Sequence, residues 1–182
     1  MSEPTTYVAL LRGINVGKAK AVAMSDLREI VESLGHRDVR TLLRSGNVVF
    51  RSGKAPDRLG GALEEAITKR LGLDVRVVLR TAAELEAIVA ANPIADADGA
   101  GSNMHVMFLA EPLSGEERDG ISAVAFDPDV VRPAGREIYV LYRNGMSGSA
   151  TAEVLGRIVR GTVTDRNWNT VSKLLGMARE LG

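Results

Sequence analysis

The sequence contains no cysteine among its 182 residues and only two histidines. Disulfides, thiolate zinc sites and cysteine nucleophiles are therefore excluded. No apolar run approaches the roughly 18 residues that a membrane-spanning helix needs. The N-terminal residues also lack the basic region and long apolar stretch of a signal peptide. These absences predict a cytoplasmic protein with no membrane association.

Aromatic residues are scarce, at 4%, and the net charge is zero because 23 basic side chains balance 23 acidic ones. The balance conceals a pattern, since residues 1–54 and 130–182 each carry +4 and residues 55–129 carry −8. Basic ends around an acidic middle are compatible with an anionic partner, and also with solvated helix faces that differ in sign.

Hydrophobic periodicity in the first half predicts alternating strands and helices. Apolar runs predict strands at 7–11, 39–43, 48–51 and 74–80, and helical spacing predicts helices at 25–35 and 56–72. Ser25 is the expected N-cap of the first helix. The resulting order, β-α-β-β-α-β, is that of ferredoxin-like domains.

The second half repeats this order. Thr81 and Glu84 have capping-box spacing and predict a trailing helix that ends before Pro93. Strands are then expected at 103–110, near 122–126 or 130–132, at 137–142 and at 162–164, with helices at 114–120, 151–159 and 167–180. We predict an α+β fold of two tandem ferredoxin-like (βαββαβ) halves, each followed by a trailing helix. Their bounds are 1–93 and 103–182, joined by a linker at 94–102.

The segment that follows the first strand has the composition of an anion-binding loop. It contains Arg12, Gly13, Asn15, Gly17 and Lys18. Glycine and asparagine accept positive φ, and exposed backbone N–H groups beside cations suit an anion. The spacing does not match a Walker A loop, and Ala19 stands where a magnesium-binding hydroxyl would be required. A long connection with lysines in water is the alternative interpretation.

A hairpin turn at Arg44, Ser45, Gly46 and Asn47 joins the second and third strands. In the predicted topology the first two strands are parallel, so this hairpin and the loop after the first strand emerge at the same end of the sheet. Together they would gather cations and neutral donors around a glycine loop. Such a group suits a phosphate, a carboxylate or a nucleotide.

The last distinctive segment runs from Arg166 to Thr170. On a helix, Trp168 would anchor the apolar face, while Arg166, Asn169 and Thr170 would share a polar stripe with Lys173. Helix capping by Asp165 or Asn167 is the simpler explanation of the asparagines. The predicted ligand-binding residues are Arg12, Gly13, Asn15, Gly17, Lys18, Arg44, Ser45, Gly46, Asn47, Arg166, Asn167, Trp168, Asn169 and Thr170.

No catalytic or metal-binding group is evident elsewhere in the sequence. His36 follows a helix-ending glycine, where an exposed imidazole is expected, and His105 alternates with apolar residues, as a satisfied, partly buried histidine would. Asp127 and Asp129 lack a third ligand nearby. No cofactor or metal is predicted, and whether the protein is an enzyme is left open.

Three segments together resemble a known family. Tyr7–Gly17, Arg44–Phe50 and Arg166–Val171 are similar, in order, to the uncharacterised family catalogued as domain of unknown function 1697. The resemblance extends from Thr5 to about Leu175 and implies a small cytoplasmic protein of bacterial type, without a reaction. Ala150 stands where relatives tend to have a lysine, so a cation there is not expected in this chain.

Three functional hypotheses remain open at this point. The first is a binding protein for a small anion or nucleotide, built from the three segments. The second is a nucleic-acid module, which the sparse aromatics and zero net charge disfavour. The third is an interaction or structural protein without a ligand, in which the glycine loops only turn the chain.

Overall fold

The computed structural model describes residues 3–15, 21–94 and 101–182. They form a mixed α+β fold with two four-stranded antiparallel sheets and, over these residues, six helices. The chain divides into two compact units, one of Met1–Ala87 with Lys173–Gly182 and one of Ile88–Ser172. Among the residues described, no helix combines the length and apolar character needed to cross a bilayer.

The first unit has the predicted order of elements. They are β1 (Thr5–Leu11), α1 (Met24–Ser33), β2 (Arg37–Leu42), β3 (Asn47–Ser52), α2 (Pro56–Leu71) and β4 (Val77–Thr81). The sheet order is β2-β3-β1-β4, and every neighbouring pair is antiparallel. The fourth strand is shorter than predicted, because residues 74–76 are not in a strand.

Helices α1 and α2 cover one face of this sheet. Tyr7, Ala9 and Leu11 alternate along β1 and join a core that includes Leu27 of α1 and Leu63 of α2. The spacing of buried residues along both helices follows the helical repeat, which explains why these segments are helical. Both helices are therefore fixed against the sheet by burial of their apolar faces.

The start of α1 differs from the prediction. The helix begins at Met24, its N-cap is Ala23, and no side chain caps it. Ser25 therefore lies inside the first turn, and its prediction as the N-cap is wrong. The first N–H groups of α1 consequently have no side-chain acceptor at the cap position.

The second unit repeats the order of the first. Its elements are β5 (Met104–Leu109), α4 (Gly115–Ser122), β6 (Val130–Ala134), β7 (Glu137–Leu141), α5 (Ala150–Ile158) and β8 (Val163–Asn167). The sheet order is β6-β7-β5-β8, again with antiparallel neighbours. The strand considered near 122–126 is wrong, because α4 continues to Ser122 and no strand follows until Val130.

Each set of six elements is followed by a trailing helix, α3 (Ala82–Ala90) and α6 (Trp168–Leu181). The predicted capping box of α3 is confirmed, since Glu84 N–H donates to Thr81 Oγ1 at 3.1 Å and Thr81 N–H donates to Glu84 Oε2 at 2.7 Å. Within the first unit, Arg179 at the end of α6 pairs with Glu86 of α3.

Candidate functional site

The loop after β1 and the hairpin between β2 and β3 meet at one end of the first sheet. The Asn15 side-chain amide donates to the backbone oxygens of Arg44, at 2.6 Å, and Val22, at 2.9 Å. Its oxygen accepts the backbone N–H of Val22 at 2.8 Å. Leu11 N–H also donates to Gly46 O at 2.9 Å. The predicted proximity of the two segments is confirmed.

Four residues of these segments have left-handed backbone angles: Gly13 (φ 65°), Asn15 (54°), Leu43 (58°) and Gly46 (79°). Gly46 is also sterically required, because a Cβ there would lie 2.6 Å from Ile14 Cδ1 and 2.9 Å from Leu11 Cβ. The tight contact of hairpin and loop thus depends on a glycine at this position.

Arg12, Gly13, Arg44 and Ser45 are exposed at this end of the sheet. We call these four residues, with the first turn of α1, the loop–hairpin site. Within the described part of the chain, the Arg44 side chain makes no hydrogen bond or ion pair. Two arginines, a glycine N–H and a hydroxyl are all groups that can hold an anion.

The two predicted asparagines have internal partners. Asn15 uses both amide hydrogens on the backbone oxygens already named. Asn47 is fully buried and donates to Leu42 O at 2.8 Å and to Ser45 Oγ at 3.0 Å. Both residues therefore position the loops from within. Two further predicted residues, Gly17 and Lys18, lie outside the described residues.

The N-terminus of α1 adjoins this site, because Val22, which is bonded to Asn15, precedes the helix by two residues. Its uncapped N–H groups carry a partial positive charge. Asp26 in the first turn supplies an opposing negative charge. Nearby, Arg12 N–H donates to Arg76 O at 2.8 Å, while the Arg76 side chain is paired with Glu64.

The segment from Arg166 to Thr170 belongs to the second unit and corrects part of the prediction. Arg166 lies in β8, 7% exposed, and donates to Thr164 Oγ1 and to Asp165 O, both at 2.7 Å. Burial lowers the pKa of Arg166 to about 10, although Asp165 opposes the shift. Thr170 is also buried, so the polar helical stripe is wrong.

The simpler explanation of this segment is confirmed. Asn167 caps α6, accepting the backbone N–H of Thr170 at 2.9 Å. Trp168 is buried, as a core anchor should be, whereas Asn169 is exposed. The asparagine and the tryptophan thus have structural explanations of their own.

Comparison with known proteins shows which family the chain belongs to. The family model described as "Protein of unknown function (DUF1697)" matches residues 5–139, which include the first two of the three segments. The chain belongs to the DUF1697 family. A search of the curated proteins gave no match.

A solved structure shows the same fold. It is that of the conserved bacterial protein SP0830 from Streptococcus pneumoniae, with 24% sequence identity and a TM-score of 0.79. The match covers 96% of this chain and 99% of the other. At this identity the likeness concerns the fold alone, so the site of this DUF1697 chain must be argued from its own residues.

The predictions for the two histidines have different outcomes. His105 is buried and satisfied, as expected, with Nδ1 2.5 Å from Asp165 Oδ2 and Nε2 2.9 Å from Ser102 O. The expected exposure of His36 is wrong, because it is buried against the Phe50 ring with a centroid distance of 4.8 Å. Burial, followed by the charge of Lys54, lowers the pKa of His36.

Sequence reasoning missed the cluster around His105. Its ring and that of Tyr142 pack edge to face, with a centroid distance of 5.2 Å. Burial, followed by the charges of Asp165 and Asp129, raises the pKa of that tyrosine. Asp165 Oδ1 is buried and, among the described residues, has no hydrogen-bond partner. The signal in the sequence was weak, since His105 and Asp165 are 60 residues apart.

The loop after β7 lines a pocket of about 280 Å³ in the second unit. Asp129, at its wall, accepts Arg143 N–H at 2.8 Å and the Ser149 hydroxyl at 3.3 Å. The lining residues are Phe126–Asp129, Asn144, Gly145 and Ser147–Thr151, and none of these is cationic. Two carboxylates without a cation disfavour an anion in this pocket.

Proposed function

We propose that this DUF1697 protein binds a small anion, a phosphate or carboxylate group either free or as part of a nucleotide, at the loop–hairpin site. The observation that carries the proposal is the Asn15 side chain, which bonds at once to the hairpin at Arg44 O and to the residue leading into α1. One amide thereby fixes both arginine-bearing segments relative to the start of a helix.

The chemistry of the held groups supports an anion. Guanidinium groups bind phosphate and carboxylate oxygens through paired, charge-assisted hydrogen bonds. The α1 N-terminus, which no cap side chain covers among the described residues, adds N–H groups and a favourable dipole beside them. Because Asn15 already holds the loops in place, little ordering would be required on binding, which favours affinity.

Burial of the sheet aromatics supports a small anion over single-stranded RNA. Tyr7, Phe50, Phe108 and Tyr139 are all buried. Sheets that bind RNA usually display such rings for base stacking. The described strands have no exposed ring of this kind, and no reaction or cofactor forms part of the proposal.

We also propose that each half is ferredoxin-like, with bounds 1–93 and 103–182, and that the protein is cytoplasmic. The identical strand orders of the two sheets and their antiparallel pairing support the topology. If each half has this topology, the backbone of the first half should superpose on that of the second, strand for strand.

Calorimetric titration with inorganic phosphate at low ionic strength tests the anion site. Wild-type protein should bind saturably, and Arg44→Gln should weaken binding about tenfold or more, the usual effect of one charged hydrogen bond. Asp26→Asn should tighten binding, since it removes a negative charge from the first turn of α1.

Arg58→Gln is the matched control. Arg58 is exposed and lies in the first turn of α2, which begins at the opposite end of the same sheet. Its loss should leave phosphate affinity unchanged. Absence of saturable binding at millimolar phosphate, or equal losses in Arg58→Gln and Arg44→Gln, would refute the proposed function.

A further inference from the structure

Leu43 is the unusual residue of the hairpin. Its φ is +58°, a conformation that costs a bulky L-residue free energy and that glycine or asparagine adopts more easily. Its side chain is also 52% exposed. Among the described residues, only Leu43 and Met146 are large hydrophobic residues with such exposure.

The turn itself does not explain a leucine. Gly46 already provides the left-handed residue at the other end of the loop, and position 43 would be better served by glycine or asparagine. A strained conformation that persists without a structural reason is characteristic of functional sites. Exposure alone would need no explanation, but exposure on strained backbone does.

We infer that the loop–hairpin site takes an amphipathic anion, with its anionic group on Arg44 and Arg12 and its apolar body against Leu43. The inference rests on the proposed function and names the ligand class for it. Leu43 directly precedes Arg44, so their Cα atoms are about 3.8 Å apart. The Asn15 side chain donates to Arg44 O at 2.6 Å, which fixes the backbone of the hairpin that carries both residues.

The apolar body of such a ligand has two chemical sources, an alkyl chain or an aromatic ring. Each methylene group that Leu43 covers should tighten binding by about fourfold. Hexyl phosphate and phenyl phosphate represent the two sources. Inorganic phosphate, which lacks an apolar body, measures the anionic contribution alone.

Calorimetry with these three probes, on the full chain and on Leu43→Gly, tests the inference. Wild-type protein should bind hexyl phosphate or phenyl phosphate at least about tenfold more tightly than phosphate. Leu43→Gly should reduce that ratio to near one. Its melting temperature should rise, because glycine relieves the left-handed conformation.

Two further variants complete the experiment. Leu43→Asn introduces a residue that also tolerates positive φ, and it should lose the preference for the apolar probes over phosphate in the same way. Met146→Gly removes the other exposed hydrophobic side chain, in the loop after β7, and should leave the preference intact. The ratio of the affinities for hexyl phosphate and phenyl phosphate then identifies the apolar body as alkyl or aromatic.

The outcomes separate this inference from the proposed function. If wild-type protein binds all three probes with equal affinity, or if Leu43→Gly keeps the preference, the inference is wrong while anion binding stands. If none of the three probes binds, the proposed function itself is wrong.

Discussion

At the scale of single residues, one side-chain amide joins backbone positions 7 and 29 residues away along the chain. Asn15 can do this because its own backbone is left-handed, at φ 54°, a conformation that asparagine tolerates better than most residues. The amide is then directed at Val22 and Arg44. The loop–hairpin site thus depends on a residue that would not itself bind the ligand.

Replacing Asn15 by alanine should therefore destabilise the protein. Three hydrogen bonds are lost and alanine is strained at positive φ, so the free energy of unfolding should fall by about 2–3 kcal/mol. Urea denaturation measures this change. Phosphate affinity should fall in the same variant, because the two arginine segments are no longer held together.

Asn169→Ala is the control, because Asn169 is exposed on α6. Its effect on unfolding should stay within about 0.5 kcal/mol. A loss of similar size in both variants, or no loss in Asn15→Ala, would show that the Asn15 amide does not hold the two segments together.

The residue types of the site could be predicted from the sequence, but the orientation of each side chain could not. The predicted topology placed the two turns that carry these glycines, asparagines and arginines at the same end of the sheet, and the structure confirms that they meet. Whether an asparagine faces a ligand or a backbone oxygen depends on atoms far away in the sequence. For Asn15 and Asn47, only the three-dimensional structure shows that the side chains bond to groups within the protein.

At the scale of elements, β7 and the residue that follows it concentrate buried tyrosines. Burial and the neighbouring Glu137 raise the pKa of Tyr139 to about 12, and the pKa of Tyr142 is raised further. The Tyr139 hydroxyl donates to Ile88 O at 2.7 Å. Both hydroxyls are thus kept neutral in the folded state over a range in which an unfolded chain would ionise them.

These tyrosines should make the protein sensitive to alkali. The unfolded tyrosines ionise near pH 10, so stability is complete below pH 10 and falls as the pH rises towards 12. The slope approaches about 1.4 kcal/mol per pH unit for each tyrosine. Urea denaturation between pH 8 and 11 measures it.

Tyr139→Phe should reduce the fall of the unfolding free energy with pH by the contribution of one tyrosine. At neutral pH the same variant should lose about 1 kcal/mol, because Ile88 O loses its donor. An unchanged alkaline slope in Tyr139→Phe would contradict the raised pKa of this residue.

The type and bounds of elements with a strong hydrophobic periodicity could be predicted from the sequence, whereas those of elements with a weak periodicity could not. The burial pattern of α2, with Leu59, Leu63 and Ile67, is an uninterrupted helical repeat. By contrast, the short apolar stretch at 121–126 fits a strand or a helix end equally well. In the structure the helix that the Ser114 and Glu117 capping box begins continues to Ser122.

At the scale of the whole molecule, each half contains a buried arginine, and the two lie at equivalent positions of their sheets. Arg80 pairs in register with Val8, and Arg166 pairs with Val106 at the equivalent position of the second sheet. Arg80 is 1% exposed, and like Arg166 it donates to the carbonyl of the residue before it, at 2.7 Å. The sequence carries a sign of this repeat, since each arginine lies two residues before its trailing helix.

Replacement of either arginine by methionine should have a similar cost. Each variant removes the hydrogen bonds that a buried guanidinium donates, so the free energy of unfolding should fall by about 2–3 kcal/mol in both, as measured by urea denaturation. Arg132→Met is the matched control, because Arg132 makes the same bond to the preceding carbonyl, at 2.9 Å, from an exposed position. An equally large loss in Arg132→Met would show that burial of the arginine is not the cause.

The most direct test of anion binding is a map of the backbone N–H groups that respond to phosphate. In a titration of ¹⁵N-labelled protein followed by NMR, the account predicts saturable shifts at Gly13, Arg44, Ser45 and the first turn of α1. The pocket after β7, around Gly148, should not respond. Shifts confined to other regions, or no saturable shift, would contradict the loop–hairpin site.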